Sequence, residues 1–161
     1  MISFTGSTAI GQKIAQLTAG SMKKLSLELG GKNAAIVFDD AKLDEAVAGV
    51  TRSAFLNQGE ICLCTSRIFV QSKIYDSFLA KFVASVRSLK VGDPLEEDTF
   101  TGAVNSGPHY QKVMSYIGFA KEDGGRIECG EGVDSLELKP QNKNGYFIQP
   151  TVITGLTDKA R

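Results

Sequence analysis

The chain has 161 residues, enough for one domain with a core, and 42% hydrophobic with 22% charged content is ordinary for a globular protein. Lys+Arg and Asp+Glu both count 18, so no basic excess meets nucleic-acid phosphates or an anionic membrane surface. No stretch has the length and apolar character of a transmembrane helix, and the opening MISFTGSTAIG lacks the basic start and apolar block of a signal peptide.

Ile2-Ser3-Phe4 reads as the end of a buried strand, followed by a turn at Thr5-Gly6-Ser7. A strand at the very start needs neighbours along its edges, so the expectation is a piece of something larger. Ile10, Ile14 and Leu17 recur at helical spacing, with Ser7 or Thr8 as N-cap and Gly20 as terminator. Leu25, Leu27 and Leu29 alternate with Ser26 and Glu28, which predicts a strand broken by Gly30-Gly31. Ala34 to Phe38 is an apolar run of the buried-strand type.

Asp39 and Asp40 are expected to cap a second helix. Leu43, Val47, Val50 and Ala54 mark its buried face, and Asn57-Gln58-Gly59 its end. Arg67 to Gln71 predicts a strand. Ile74, Phe78, Leu79, Phe82, Val83, Val86 and Leu89 draw a long amphipathic helix that Val91-Gly92-Asp93-Pro94 closes as a turn. Residues 95–107 read as loop. A helix over 108–120 is predicted from Val113, Tyr116, Ile117 and Ala120, with Gly124-Gly125 beyond it. Arg126 to Cys129 reads as a short strand, Gly130 to Gly145 as an exposed loop, and Tyr146 to Ile153 as an edge strand interrupted at Pro150. There is no internal repeat, and alternating helices and strands make the class α/β.

Three residue groups could carry chemistry. Glu28 sits on an apolar strand before two glycines. It is readable as a solvent-facing charge or as a general base where backbone lets a ligand approach. Cys62 follows the Asn57-Gln58-Gly59 helix end and precedes a strand, so it is either a small buried hydrophobe or a nucleophile on a loop between rigid elements. Cys62, Cys64 and Cys129 with the lone His109 do not make the four-ligand set of a structural zinc site, and Cys-x-Cys is not the Cys-x-x-Cys redox spacing. His109, beside Pro108 on a predicted helix start, is a poor partner for either thiol, and Glu28 is an alternative base. Phe4-Thr5-Gly6-Ser7 joins a strand to a helix start, whose N–H groups favour an anion or merely form a capped turn.

Taken in order, Phe4-Thr5-Gly6-Ser7, Leu27-Glu28-Leu29-Gly30-Gly31-Lys32-Asn33, Phe55-Leu56-Asn57-Gln58-Gly59-Glu60-Ile61-Cys62 and Arg67 resemble the NAD(P)-dependent aldehyde dehydrogenase superfamily. The 34 positions from Glu28 to Cys62 fit, and the likeness runs on through Val91-Gly92-Asp93-Pro94 and Gly145-Tyr146-Phe147 to Pro150-Thr151-Val152. Ile61 to Val70 and Cys129 to Asp134 look most like the 2-aminomuconic semialdehyde dehydrogenase branch.

The resemblance implies an α/β fragment: residues 1–30 as the tail of the Rossmann-like NAD-binding domain and 31–161 as the first part of the catalytic domain. It implies oxidation of a small aldehyde to an acid through a thiohemiacetal and a thioester. Cys62 would be the nucleophile, its backbone N–H an oxyanion donor, and Glu28 the base for the hydrolytic water. Gly6 and Ser7 would meet the pyrophosphate of NAD or NADP. Ile10 would pack near the adenine, Gly11 would join the cofactor-contacting set, and the Leu29 carbonyl would lie near the nicotinamide amide. Cys64 is read as packing, and Lys32 and Glu60 receive no chemical step. Three cysteines without an export signal read as reduced thiols of a cytosolic or organelle-matrix compartment, taken as cytoplasmic, and no metal, nucleic-acid or membrane partner is expected; full-length family members are homo-oligomeric.

Family members are much longer. The expectation is that other family segments supply a second oxyanion donor, the ribose-binding residues and an oligomerisation strand, and that the 161 residues alone are inactive. The alternative is a catalytically dead short product that acts as a binding partner or a degenerate copy.

Overall fold

The structure is a computed structural model that describes residues 1–132 and 136–161. Val133 and Asp134 of the Cys129–Asp134 block lie outside the described residues.

The first unit is β1 (Ile2–Gly6), α1 (Thr8–Thr18) and β2 (Leu25–Leu29). β1 and β2 pair in parallel, with Ile2 opposite Leu25 and Gly6 opposite Leu29, so their carboxyl ends finish level. The leucines of β2 face inward and are half-buried, whereas Ser26 and Glu28 are exposed, as the alternation predicts. Ser7 caps α1 by accepting from the Ile10 N–H. The buried residue of α1 is Gly11, where an added Cβ would come within 2.7 Å of a Leu29 methyl; the missing side chain lets the helix lie close on β2.

Two details differ from the pattern. Ile10 is 47% exposed and Leu17 75% exposed, so α1 turns Gly11, Ile14, Ala15 and Thr18 inward instead. A 3-10 turn at Ala19–Ser21 extends the helix, and Met22 at φ 51°, rather than Gly20, makes the left-handed stop.

The second unit holds the core. β3 (Asn33–Val37) and β4 (Thr65–Val70) pair in parallel across the crossover helix α2 (Leu43–Phe55). α3 (Tyr75–Arg87) follows β4 through a 3-10 turn at Ser72–Ile74. The predicted apolar stripes of α2 and α3 meet over one sheet face: Val47 with Phe78, Phe82 and Val86 surround Val37, and Ile68 and Val70 pack against them. Phe78 and Phe82 stack at 5.6 Å between ring centroids, and Phe55 lies 6.3 Å from Phe82. Each such side chain contributes roughly 1.5–3 kcal/mol by leaving water.

Neither Asp39 nor Asp40 caps α2: Lys42 occupies its N-cap position without a side-chain bond. Asp39 instead takes an ion pair from Lys73, 2.8 Å away. The buried-strand expectation for Ala34–Phe38 holds for one face only. Ile36 is 65% exposed and Phe38 61%, and Phe69, opposite Ile36, is also exposed. Sequence periodicity cannot tell a strand covered on both faces from one covered on a single face.

The third unit is α4 (Gly107–Glu122), β5 (Arg126–Glu131) and β6 (Gln149–Thr154). Ser106 caps α4 through the His109 N–H, and Gly124 at φ 88° follows its end. Ile117 and Ala120 are buried as predicted, but Tyr116 is exposed and meets Phe119 edge-on. β6 begins at Gln149 rather than Tyr146, and it pairs antiparallel with β5 with Pro150 inside it. Val152 and Cys129 return to the α3 core, and Arg87 donates to the Glu128 carbonyl at 2.9 Å. Burial raises the Cys129 thiol pKa above its ordinary value.

Candidate functional site

The site is built where the first unit hands over to the second. Glu28 and Leu29 end β2, and only Gly30, Gly31 and Lys32 separate them from β3. Gly6, opposite Leu29, ends β1 at the same level, and α1 starts two residues later. The carboxyl ends of two parallel strands thus lie level, with a helix N-terminus following one of them. An added Cβ at Gly30 would touch nothing, so no packing within the chain requires a glycine there. Open backbone next to Glu28 suits close approach by another molecule.

The loop between α2 and β4 brings the cysteines to this handover. Asn57 at φ 51°, Gln58 at φ 56° and Gly59 at φ 74° are three consecutive left-handed residues, which turn the chain sharply off α2. For Gln58 that conformation costs about 1–2 kcal/mol, and its side chain is held by donating to the Ala103 carbonyl at 3.2 Å. A second turn follows at once: the Cys64 N–H donates to the Ile61 carbonyl at 2.9 Å, placing Cys62 at its first corner. Cys62 is exposed. Cys64 is half-buried, with its thiol 3.5 Å from the Leu56 carbonyl, so it ties the turn to the end of α2.

Long-range bonds tie the turn and the β4 strand after it to the segment between β2 and β3 and to the first residue of β3. The Asn33 carboxamide donates to the Cys62 carbonyl at 2.6 Å and lies 3.4 Å from that of Cys64. Arg67 donates to the Lys32 carbonyl at 2.7 Å. Asn33 and Lys32, which these bonds hold to the Cys62 turn and to β4, follow Glu28 and Leu29 within a few residues in sequence. Gly6 and Ser7 stand at the neighbouring strand end, and exposed Ile10 on the first turn of α1. Gly11 stands apart from these, with its face on Leu29 rather than on open space.

The sequence left His109 without a partner, but its Nε2 lies 2.8 Å from Glu60 Oε1. That contact ties α4 to the cysteine loop from its other side. Glu60 and His109 also line a cavity of about 370 Å³ with Lys32, Thr101, Tyr116 and Thr151; Cys62 and Glu28 are not in its wall. The neglected residues are therefore Asn33 and the Glu60–His109 pair. Their partners are 29 and 49 residues away, beyond any local pattern.

A family model described as "Aldehyde dehydrogenase family" matches residues 1–161. The chain is 55% identical over 161 residues to a mouse 2-aminomuconic semialdehyde dehydrogenase, covering 100% of this chain and 33% of that protein. It is 54% identical over 160 residues to the human protein of the same name, covering 99% and 33%. A structure of betaine aldehyde dehydrogenase from Staphylococcus aureus in complex with NAD+ superposes with a TM-score of 0.91 at 36% identity, over 99% of this chain and 31% of that one. The chain spans about a third of the length of the curated relatives it matches.

Proposed function

The chain belongs to the aldehyde dehydrogenase family, and from that premise we propose that its residues carry out NAD-dependent oxidation of an aldehyde to a carboxylic acid. The supporting observation is the junction: Asn33, five positions after Glu28, holds the carbonyl of Cys62. One strand end thereby presents a carboxylate and one turn presents a thiol, both open to solvent.

On this reading the Cys62 thiolate adds to the aldehyde carbon, and the Cys62 N–H stabilises the resulting oxyanion. NAD, when bound, supplies the hydride acceptor that turns the adduct into a thioester. Glu28 then takes a proton from a water whose oxygen attacks the thioester carbon, and the acid leaves as the Cys62 thiolate returns. The residues present fit part of a dinucleotide cradle. Level strand ends at Gly6 and Leu29, the Ser7-capped start of an eleven-residue helix and exposed Ile10 suit a pyrophosphate and an apolar ring edge. Gly11 serves the same site indirectly, by letting α1 close on Leu29.

Residues 1–30 are the closing part of the NAD-binding domain and 31–161 the opening part of the catalytic domain. The substrate resembles 2-aminomuconic semialdehyde, the class named for the mouse and human relatives. Three free cysteines suit a cytoplasmic setting, and no helix among the described residues is long and apolar enough to cross a membrane.

The isolated chain should neither reduce NAD with an aldehyde nor gain thermal stability from NAD. A chimera that carries residues 1–161 in place of the matched segment of the mouse relative should form NADH from the relative's aldehyde. A folded chimera that binds NAD but forms no NADH would overturn the proposal.

A further inference from the structure

The geometry points to Asn33 as a positioning residue for Cys62, an inference that rests on the nucleophile reading of that thiol. Asn33 is the first residue of β3, opposite Thr65 in β4 and at the register shift that follows. Its Nδ2 faces two carbonyls, Cys62 at 2.6 Å and Cys64 at 3.4 Å, and its two N–H hydrogens can serve both. Two acceptors on that side fix the amide's orientation, since Oδ1 there would repel them. The other end of the carboxamide is left room by Gly31, whose added Cβ would come 3.4 Å from Oδ1.

The two carbonyls stand on either side of Leu63, inside the Ile61–Cys64 turn. Holding the Cys62 carbonyl fixes the peptide plane that follows Cys62, and together with the Cys64–Ile61 turn bond it restricts the direction in which the Cys62 Cβ leaves the chain. The Arg67–Lys32 bond secures the residue before Asn33 to β4, and the Cys64–Leu56 contact secures the far end of the turn to α2. A single side chain thus couples the segment that follows Glu28 to the turn that carries Cys62. Asn33 acts through the turn and touches no reacting atom.

Asn33→Asp keeps the shape but loses the donor, and places a carboxylate against two carbonyl oxygens. Asn33→Ala removes both shape and donor. The measurement is the rate of iodoacetamide labelling at each cysteine of the 161-residue chain, resolved by fragment mass, with all three cysteines retained. If Asn33 positions the turn, both variants release Cys64 from Leu56, and Cys64 labelling rises about 5-fold or more, as losing one net hydrogen bond allows. Asp should be at least as severe as Ala. Cys129, on β5 and packed against the core, should keep its slow rate. Unchanged Cys64 labelling in Asn33→Asp, or a parallel rise at Cys129 that signals general unfolding, would overturn the assignment.

The unsubstituted chain provides a second readout should both variants fail to fold. A through-hydrogen-bond coupling between the Asn33 side-chain nitrogen and the Cys62 carbonyl carbon should be visible by NMR, and its absence would overturn the assignment too. Neither readout needs turnover. A chimera that stays active without the Cys62 thiol would refute the nucleophile reading while leaving the turn geometry standing.

Discussion

The α2–α3 layer and the junction around Cys62 are built on opposite principles. The layer buries Val47, Phe78, Phe82 and Val86 against Val37, with few polar atoms to satisfy. The junction buries almost nothing. It is held by hydrogen bonds of Asn33, Arg67 and Gln58 to backbone carbonyls, around three left-handed residues and an exposed thiol. Stability is concentrated in the first, and the proposed chemistry in the second. The difference shows that an exposed thiol can be held in place with little hydrophobic burial where backbone groups around it are tied down individually.

Substitutions should separate the two regions. In the chimera, Glu28→Gln should lower kcat about 100-fold or more, the usual scale for a general base. Its unfolding midpoint should stay unchanged, and a mass shift at Cys62 should reveal the trapped acyl group. A large fall in midpoint with normal kcat would erase the distinction. The converse variant is Phe82→Ala, at a 3% exposed position, which should cost about 3–5 kcal/mol in denaturant unfolding of the isolated chain. Leu27→Ala, on half-buried β2, should cost only ~1 kcal/mol. Comparable losses from the two would mean that residues 1–30 share the core after all. The exposed β3–β4 face sharpens the contrast from outside: replacing Ile36 and Phe69 by Thr should reduce binding of an apolar dye with little change in midpoint.

The smallest expected effect is on acid stability. Lys139 first, then Lys90, holds the Glu96 carboxyl below its usual range, and Thr154 with Arg126 does the same for Glu128. A carboxyl depressed in the folded state contributes above its unfolded pKa, about 4, and that contribution is lost as pH falls through the depressed folded value. The midpoint should therefore be flat from pH 8 to 6 and fall below pH 4, and Glu96→Gln should shallow the fall. The cationic partners Lys90, Lys139 and Arg126 are exposed, so 1 M salt should weaken the effect.

Much of this arrangement was legible in the sequence, for identifiable reasons. Leu25, Leu27 and Leu29 give the strand its period, and Leu43, Val47 and Val50 with Phe78, Phe82 and Val86 give the helices theirs, because burial on one face writes itself into local spacing. Glu28 and Cys62 stand in short motifs whose glycines mark where backbone must turn or be approached. Pairings were not legible. Asn33 with the Cys62 carbonyl, and Glu60 with His109, depend on how β3 and α4 come to rest beside the loop, which no local pattern encodes. Solvent access was equally hidden: Ile10, Leu17, Ile36 and Phe38 look buried by composition and are exposed. The N-cap expectation failed because α2 starts at Leu43 with Lys42 at its cap, which leaves Asp39 and Asp40 short of it, and Asp39 pairs with Lys73 instead.

The most direct test compares the two neighbouring thiols in the chimera, by aldehyde-dependent NADH formation of Cys62→Ala and Cys64→Ala. Cys62→Ala should abolish turnover, while Cys64→Ala, which loses only a tie to Leu56, should retain most of it. Equal losses from the two, or activity that survives Cys62→Ala, would rule out Cys62 as the nucleophile.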